Sequence, residues 1–539
     1  MYNPSDWWKR AVIYQVYPRS FCDSNGDGIG DIPGIISKLD YLETLGVDAI
    51  WLSPVCRSPQ VDNGYDVSDY RDIDPMFGTL EDMDRLIREA GARGIRILLD
   101  LVLNHTSNEH PWFLEACKSR DNPYHDYYIW RDPLPGETPG DAAGFGSGSW
   151  QWVQAVGQYY YYQFSVWQPD LNWANPAVRQ ALYDMINWWA DRGVGGFRLD
   201  VVDHLGKDPS LGVKVNGPRL HEYVREMSAA CFQRPGLVTV GEAWSATPEI
   251  AKRYSDPDGS ELSMVFQFEH ILLDQAPGGS KWDLAPLPLK AFKQVMNRWQ
   301  TELRGCGWNS LFYENHDLPR IVSRWGDDGK FREQSAQMLA ILLFGMEGTP
   351  YIYEGQELGM TNMRLDLDEY QDIETRGMID ARRAEGYDDA DILRSARAKS
   401  RDNARTPMQW NDTEHAGFTT GTPWLRVNEN YREINAARQI GVSGSVFECY
   451  RALIRLRKAY PVFTEGAFSL LLPEDDDLFA YTRTAADETL LVVCNFRGRE
   501  IPDPLAEAEA GMTLLIGNYP DAQTTLRPYE ARMYRKGEA

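Results

Sequence analysis

Residues 196–204 read GFRLDVVDH and residues 238–244 read VTVGEAW, two short apolar runs that close on an acidic residue, Asp200 and Glu242. FYENHDLPR (312–320) does the same with Asp317, and LLDLVLNH (98–105) ends on Asn104 and His105. A carboxylate at the C-terminal end of a buried parallel strand occupies the usual catalytic position of a (β/α)8 barrel. Putting one there without a use is costly, because desolvation raises its energy unless it is paired. Three such carboxylates converging on one mouth imply acid–base and nucleophilic work on an uncharged, polyhydroxylated substrate.

Working outward, strand-like runs recur at 12–21, 48–55, 95–105, 196–202, 237–244, 263–269, 309–315 and 349–357. Helical-looking stretches separate them, such as LEDMDRLIREAGARG (80–94), with charges on one face and Leu/Ile on the other. Eight strands in βα alternation predict an α/β fold, a closed (β/α)8 TIM barrel rather than an open doubly wound sheet. The barrel occupies 1–103 and resumes over 174–461. Between them, residues 104–173 form an inserted loop domain after strand 3, rich in Gly, Pro, Trp and Tyr. A second excursion follows strand 8 near 360–425. Short alternating strands over 462–539 predict a C-terminal antiparallel β domain, a β-sandwich.

Length alone, 539 residues, allows about three to four domain-sized units. With 55 Lys+Arg against 79 Asp+Glu the net charge is 55 − 79 = −24, which disfavours nucleic acid and an anionic membrane surface as partners. The seven cysteines are scattered without a CxxC pair, as expected of free thiols in a reducing compartment. MYNPSDWWKR at the N-terminus has no apolar h-region, and MLAILLFGM (338–346) is too short to span a bilayer. A cytoplasmic protein is expected, monomeric or a small homo-oligomer.

DLVLNH, GFRLDVV, GEAW and ENHD, in that order, resemble the strand-end motifs of the α-amylase superfamily of glycoside hydrolases (family 13), and the resemblance spans the chain. WWKRAVIYQVYPRSF, DNGYDVSDY, QPDLNW (168–173), MVFQFEH and NARTPMQW place it nearest the oligo-1,6-glucosidase and dextran glucosidase branch. The resemblance implies Asp200 as nucleophile, Glu242 as acid and then base, and Asp317 as holder of the sugar's 2- and 3-hydroxyls. Glu242 would need a pKa raised toward about 6–7, and retention would need the two carboxyls about 5–5.5 Å apart. It also implies Asp62 and Arg401 as a clamp on the terminal glucose, Tyr65 as stacking platform, His105 and His316 as donors to sugar hydroxyls, and Phe164 and Gln168 as pocket wall. Arg198, two residues before Asp200, leaves a strand from the same face and would keep the nucleophile ionised.

In this family Val tends to follow the nucleophile in 1,6-acting enzymes, and Thr or Ala in 1,4-acting ones; here it is Val201. A β-branched residue on any strand would explain Val equally well. Trp244, Lys281 and Glu374 match positions that line the +1 subsite. In D-S-N-G-D-G-I-G-D (23–31), Asp23, Asn25, Asp27 and Asp31 alternate around glycines, with the Ile29 carbonyl as a further oxygen. Such a loop suits a structural Ca²⁺. It is not a full EF-hand, since position twelve is Gly34, and a metal-free Asx-turn is the alternative. Catalysis would need no cofactor. FGSGSWQW (145–152) and YYYYQFSVWQPD (159–170) depart from the branch: Tyr162 replaces a histidine and Val166–Trp167 a basic pair.

The expected activity is a retaining, exo-acting α-glucosidase that cleaves α-1,6 bonds of small oligosaccharides from the non-reducing end. Trehalose-6-phosphate hydrolase, a 1,4-acting or transglycosylating α-glucosidase, a sugar isomerase and a non-catalytic transporter subunit are the alternatives. The last usually carries a membrane anchor and lacks the carboxylates kept here.

Overall fold

The structure, a computed structural model, describes residues 4–135 and 150–537. Each apolar run contains a strand: β1 (Ile13–Val16), β2 (Ala49–Leu52), β3 (Arg96–Leu101), β4 (Gly196–Leu199), β5 (Val238–Glu242), β6 (Met264–Phe266), β7 (Ser310–Leu311) and β8 (Thr349–Tyr353). They form one sheet in the order β6-β5-β4-β3-β2-β1-β8-β7. Sequence neighbours pair from β1 to β6, and β8 joins β1 to β7, which is the order of a (β/α)8 barrel. The strands are shorter than the runs, because strands buried on both faces read as continuous apolar sequence beyond their last ladder bond. The surplus residues at the C-terminal ends are the ones that carry Asp200, Asn104 and Asp317.

By its internal contacts the chain divides into two compact units, residues 51–88 with 96–267, and residues 1–50 with 89–95 and 268–539. The first holds β3 to β6 in parallel register: Leu98, Gly196 and Val238 align across three strands. Gly196 is required there, since a Cβ would lie 2.2 Å from the Val238 carbonyl oxygen. The amphipathic stretch after β2 forms helix α1 (Leu80–Ala92). Helix α2 (Pro176–Asp191) opens on Asn175, whose side chain accepts from the Ala177 amide at 2.9 Å, with proline at the first turn. The inserted segment has a sheet of its own, with Gln158–Tyr161 between Trp130–Arg131 and Trp150–Val153. Asp170 of QPDLNW ties this segment back to β3, accepting from Asn104 Nδ2 and the buried Lys207 at 3.1 Å each. Of the departing stretch FGSGSWQW, residues 145–149 lie outside the described residues.

In the second unit β1 pairs with β8 and β7 with β8, all parallel. The excursion after β8 carries two helices, α3 (Ile373–Glu385) and α4 (Asp389–Lys399). Their apolar faces, with Met378, Ile379, Ile392 and Ala396, share one core with Trp282, Leu365 and Leu425. The C-terminal sheet has five strands: β9 (Ala467–Leu471), β10 (Leu478–Ala485), β11 (Glu488–Asn495), β12 (Thr513–Gly517) and β13 (Ala531–Lys536), ordered β9-β10-β11-β13-β12. Its second layer is only a two-stranded ribbon, Ile501–Pro502 with Thr525–Leu526, packed on Leu478, Ala480 and Val493. The opposite face meets a helix, where the Tyr481 hydroxyl donates to the Leu342 carbonyl at 2.6 Å. Overpacking at a close backbone approach typically costs about 1–3 kcal/mol. Gly196→Ala is therefore expected to lower the thermal midpoint by a corresponding amount, as measured by scanning calorimetry.

Candidate active site

Register builds the first cluster. Asp100 on β3 and Arg198 on β4 are direct partners, and Arg198 is partnered in turn by Val240 on β5. Cross-strand partners share a face, and so do residues two further on, which brings Asp200 and Glu242 to the same side. Arg198, 1% exposed, is the common partner. Its Nη1 donates to Asp100 Oδ1 at 2.8 Å and to Asp200 Oδ1 at 2.7 Å, and its Nη2 donates to Glu242 Oε2 at 2.5 Å. The Asp100 Oδ2 accepts from Trp51 Nε1 at 3.1 Å and from the Tyr65 hydroxyl at 3.0 Å.

Burial pushes Asp200 up to about 6, against the pull of Arg198, and does the same to Asp100. The expectation that Arg198 keeps the nucleophile ionised is thus met only in direction. One guanidinium divided among three buried carboxyls does not outweigh the desolvation of Asp100 and Asp200.

Val201 is not a strand residue. β4 ends at Leu199, and Val201 has φ 35° and ψ 50°, a left-handed conformation that a β-branched residue adopts only under strain. Strand preference therefore does not explain this valine. Its amide N–H donates to Glu242 Oε2 at 3.2 Å, while Trp244 Nε1 donates to Glu242 Oε1 at 2.8 Å.

The neighbouring groups in this unit are Tyr65, His105, Gln168, Asp62 and Phe164. His105 Nε2 lies 3.0 Å from the Tyr65 carbonyl and Asn104 Nδ2 is 3.0 Å from Nδ1, so both ring nitrogens meet protein groups. Burial lowers His105 to about 3, so the ring is neutral at ordinary pH. Gln168 Nε2 donates to Asp62 Oδ2 at 3.2 Å and to the Tyr65 carbonyl at 3.3 Å. Tyr65 itself is buried, whereas Phe164 is 46% exposed, its ring against His105 and His204 with centroids 5.5 and 5.4 Å apart. Trp167 follows on the same turn and is also exposed. That turn is pinned by bonds from the Tyr160 hydroxyl to the Val166 carbonyl (2.6 Å) and from the Asn108 amide to the Trp167 carbonyl (2.9 Å).

The second unit holds its own cluster around Asp317. Arg401 Nη1 and Arg405 Nη2 donate to Asp317 Oδ1 at 3.2 and 2.8 Å, and His316 Nε2 lies 3.2 Å from Oδ2. Gln15 Nε2 bonds His316 Nδ1 at 2.8 Å. Arg401 is also paired with Asp372 at 2.6 Å and lies 3.6 Å from Glu374, which is ion-paired with Lys281. Burial alone would raise Asp372, yet Arg401 and Arg405 hold it well below the usual carboxylate range.

The loop 23–31, also in this unit, is shaped by Asx turns. Asp23 accepts from the amides of Asn25, Gly26 and Gly28, Asn25 from Asp27, and Asp27 from Ile29. Asp31 caps the helix Ile32–Ser37 and accepts from Ser24. The donor set is all oxygen, which fits a hard cation such as Ca²⁺, although no group of three acidic, His or Cys side chains is arranged to hold a metal among the described residues.

The model of the alpha-amylase catalytic domain matches residues 15–466. The chain belongs to the α-amylase family. Oligo-1,6-glucosidase of Halalkalibacterium halodurans is 50% identical over 98% of this chain and 99% of its own. Glucan 1,6-alpha-glucosidase of Streptococcus pneumoniae is 53% identical over 92% of each. The crystal structure of Bacillus licheniformis trehalose-6-phosphate hydrolase has a TM-score of 0.94 at 45% identity, covering 99% of this chain and all of that one.

In this α-amylase family member Asp100, Gln15, Asp372 and Arg405 join the site without having been among the residues expected from the sequence. Asp100 stands in the quoted LLDLVLNH, Gln15 in WWKRAVIYQVYPRSF and Arg405 in NARTPMQW, so these three were within reach; Asp372 is marked by no local pattern. A reaction that uses Asp200 as a carboxylate must lose rate as the pH falls through about 6, since the raised pKa leaves the group protonated below that value. The acidic limb of the kcat/KM profile measures this directly.

Proposed function

We propose that this α-amylase family enzyme is a retaining, exo-acting α-glucosidase that hydrolyses α-1,6 bonds at the non-reducing end of isomaltooligosaccharides and releases glucose. The observation that carries the retaining mechanism is the single buried guanidinium shared by Asp200 and Glu242. A shared cation that holds both carboxyls supports the short spacing of about 5–5.5 Å that a retaining pair needs. Asp200 attacks the anomeric carbon to form a glucosyl ester as Glu242 protonates the leaving oxygen. Glu242 then takes a proton from water, which displaces Asp200. Asp317, between Arg401 and Arg405, holds the sugar's 2- and 3-hydroxyls, and Asp62 and Arg401 grip the end of the chain.

The 1,6 preference is supported by the high identity to oligo-1,6-glucosidase and glucan 1,6-alpha-glucosidase over nearly the whole chain. A phosphorylated disaccharide would call for two or more basic groups at the +1 subsite. Lys281 is instead neutralised by Glu374, whose carboxylate would repel a phosphate. All seven cysteines are free, which supports a cytoplasmic location, and no described helix is long and apolar enough to cross a membrane.

Glucose release from isomaltotriose, maltotriose and trehalose-6-phosphate at equal concentration tests the assignment. Isomaltotriose is expected to be far ahead; the phosphate or maltotriose ahead would overturn the reading of the +1 subsite. Asp200→Ala is expected to lose several orders of magnitude in turnover, as removal of a covalent nucleophile should.

We further propose that Asp23, Asn25, Asp27, Asp31 and the Ile29 carbonyl hold a structural Ca²⁺. Chelation is then expected to lower the thermal midpoint, and added Ca²⁺ to restore it, with kcat/KM unchanged. An unchanged midpoint would leave the loop a metal-free set of Asx turns.

A further inference from the structure

Glu242 is gripped on both oxygens by donors from separate segments: Arg198 Nη2 from β4 and the Val201 amide from the turn after it on Oε2, and the Trp244 indole on Oε1. Two of these donors are unusual for their residue types. Val201 keeps a strained backbone, and that conformation aims its N–H at the carboxyl. Trp244 is 38% exposed, although so large an apolar side chain is normally more deeply buried, and its N–H nonetheless lies 2.8 Å from Glu242.

We infer that the indole N–H of Trp244 is a positioning group for Glu242, stabilising the ionised carboxyl and so supporting the step in which Glu242 takes a proton from water. The inference rests on the roles proposed above for Asp200 and Glu242. Among the described residues, the charged groups facing Glu242 include Arg198 from β4, Asp200 and Asp203 from the turn that follows, and Asp100 of β3 through Arg198. Three of these four are acids, which disfavour a further negative charge, and a fixed neutral donor on Oε1 offsets part of that cost.

The two halves of the reaction feel the donor differently. In the first, the Glu242 proton passes to the glycosidic oxygen, the bond from that oxygen to the anomeric carbon breaks, and an Asp200 oxygen forms the ester. In the second, the Glu242 carboxylate takes a proton from water, the water oxygen bonds the anomeric carbon, and the ester electrons return to Asp200. The N–H of Trp244 keeps Glu242 in the ionised form that the second half requires.

Trp244→Phe keeps an aromatic ring and removes only the donor. The basic limb of kcat/KM on isomaltose is expected to move up by about half a unit to one unit, because the acid form of Glu242 now persists to higher pH. On an aryl α-glucoside with an activated leaving group, whose kcat reports the second half, the acidic limb of kcat is expected to move up by the same amount, so that kcat below that limb falls about three- to tenfold at unchanged kcat/KM. Azide, which attacks without a general base, should restore it. An unmoved basic limb with only a raised KM for isomaltose would overturn the inference and make Trp244 a wall of the +1 subsite. A lowered thermal midpoint without these kinetic changes would overturn it equally. Glu242→Gln separates the two levels: if that variant keeps the wild-type basic limb, the role proposed for Glu242 fails; if it abolishes the limb, the result for Trp244→Phe is decisive on its own.

Discussion

A guanidinium with almost no access to water, bonded to three carboxyls, is the constraint around which the strand-end cluster is arranged. Arg198 does what a lysine at the same place would not. Its planar fork offers donors in fixed directions, so Asp100 and Asp200 share one arm while Glu242 takes the other. Removing such a cation from water is expensive and is tolerated only because each neighbouring acid is held in place. Asp100 is fixed by Trp51 and Tyr65, Glu242 by Val201 and Trp244. Parallel register supplies the alignment, since Asp100 and Arg198 are direct partners across β3 and β4.

The ratio of acids to arginines sets the behaviour of each cluster. Around Arg198 one cation serves three buried acids, and burial raises Asp100 and Asp200 toward neutrality. Around Asp372 two cations, Arg401 and Arg405, bear on one buried carboxyl, which stays firmly ionised. The first arrangement suits groups that must gain, lose or share a proton during a reaction. The second suits a fixed negative charge that orients its arginines. Burial is similar in both, so desolvation alone does not decide the protonation state; the count of opposing charges does.

Local backbone strain adds a second kind of control. Val201 leaves the strand geometry immediately after Asp200, and its left-handed conformation costs on the order of 1–3 kcal/mol. What is gained is an amide pointed at Glu242. The turn at 164–168 does related work with ordinary means, holding Phe164 exposed beside His105 and His204 through hydrogen bonds to its own backbone carbonyls. Its Val166–Trp167 pair makes that rim apolar, while Gln168 beside it keeps its bonds to Asp62 and Tyr65.

The sequence by itself determined the eight barrel strands, because burial on both faces imposes apolar runs that end in polar residues, and this signal is local. It likewise determined which carboxylates stand at those ends and, through the spaced motifs, the family. The ribbon over the C-terminal sheet and strand β12 escaped, being short and without clear alternation. Only the tertiary structure decided what the site residues do to one another. That Arg198 must serve three acids, that Asp100 ties Tyr65 to it, that His105 spends its nitrogens on protein groups and that Val201 is strained all depend on strands far apart in sequence being brought side by side. Charge balance and hydrogen-bond direction are properties of that assembled neighbourhood, and no window of sequence contains it.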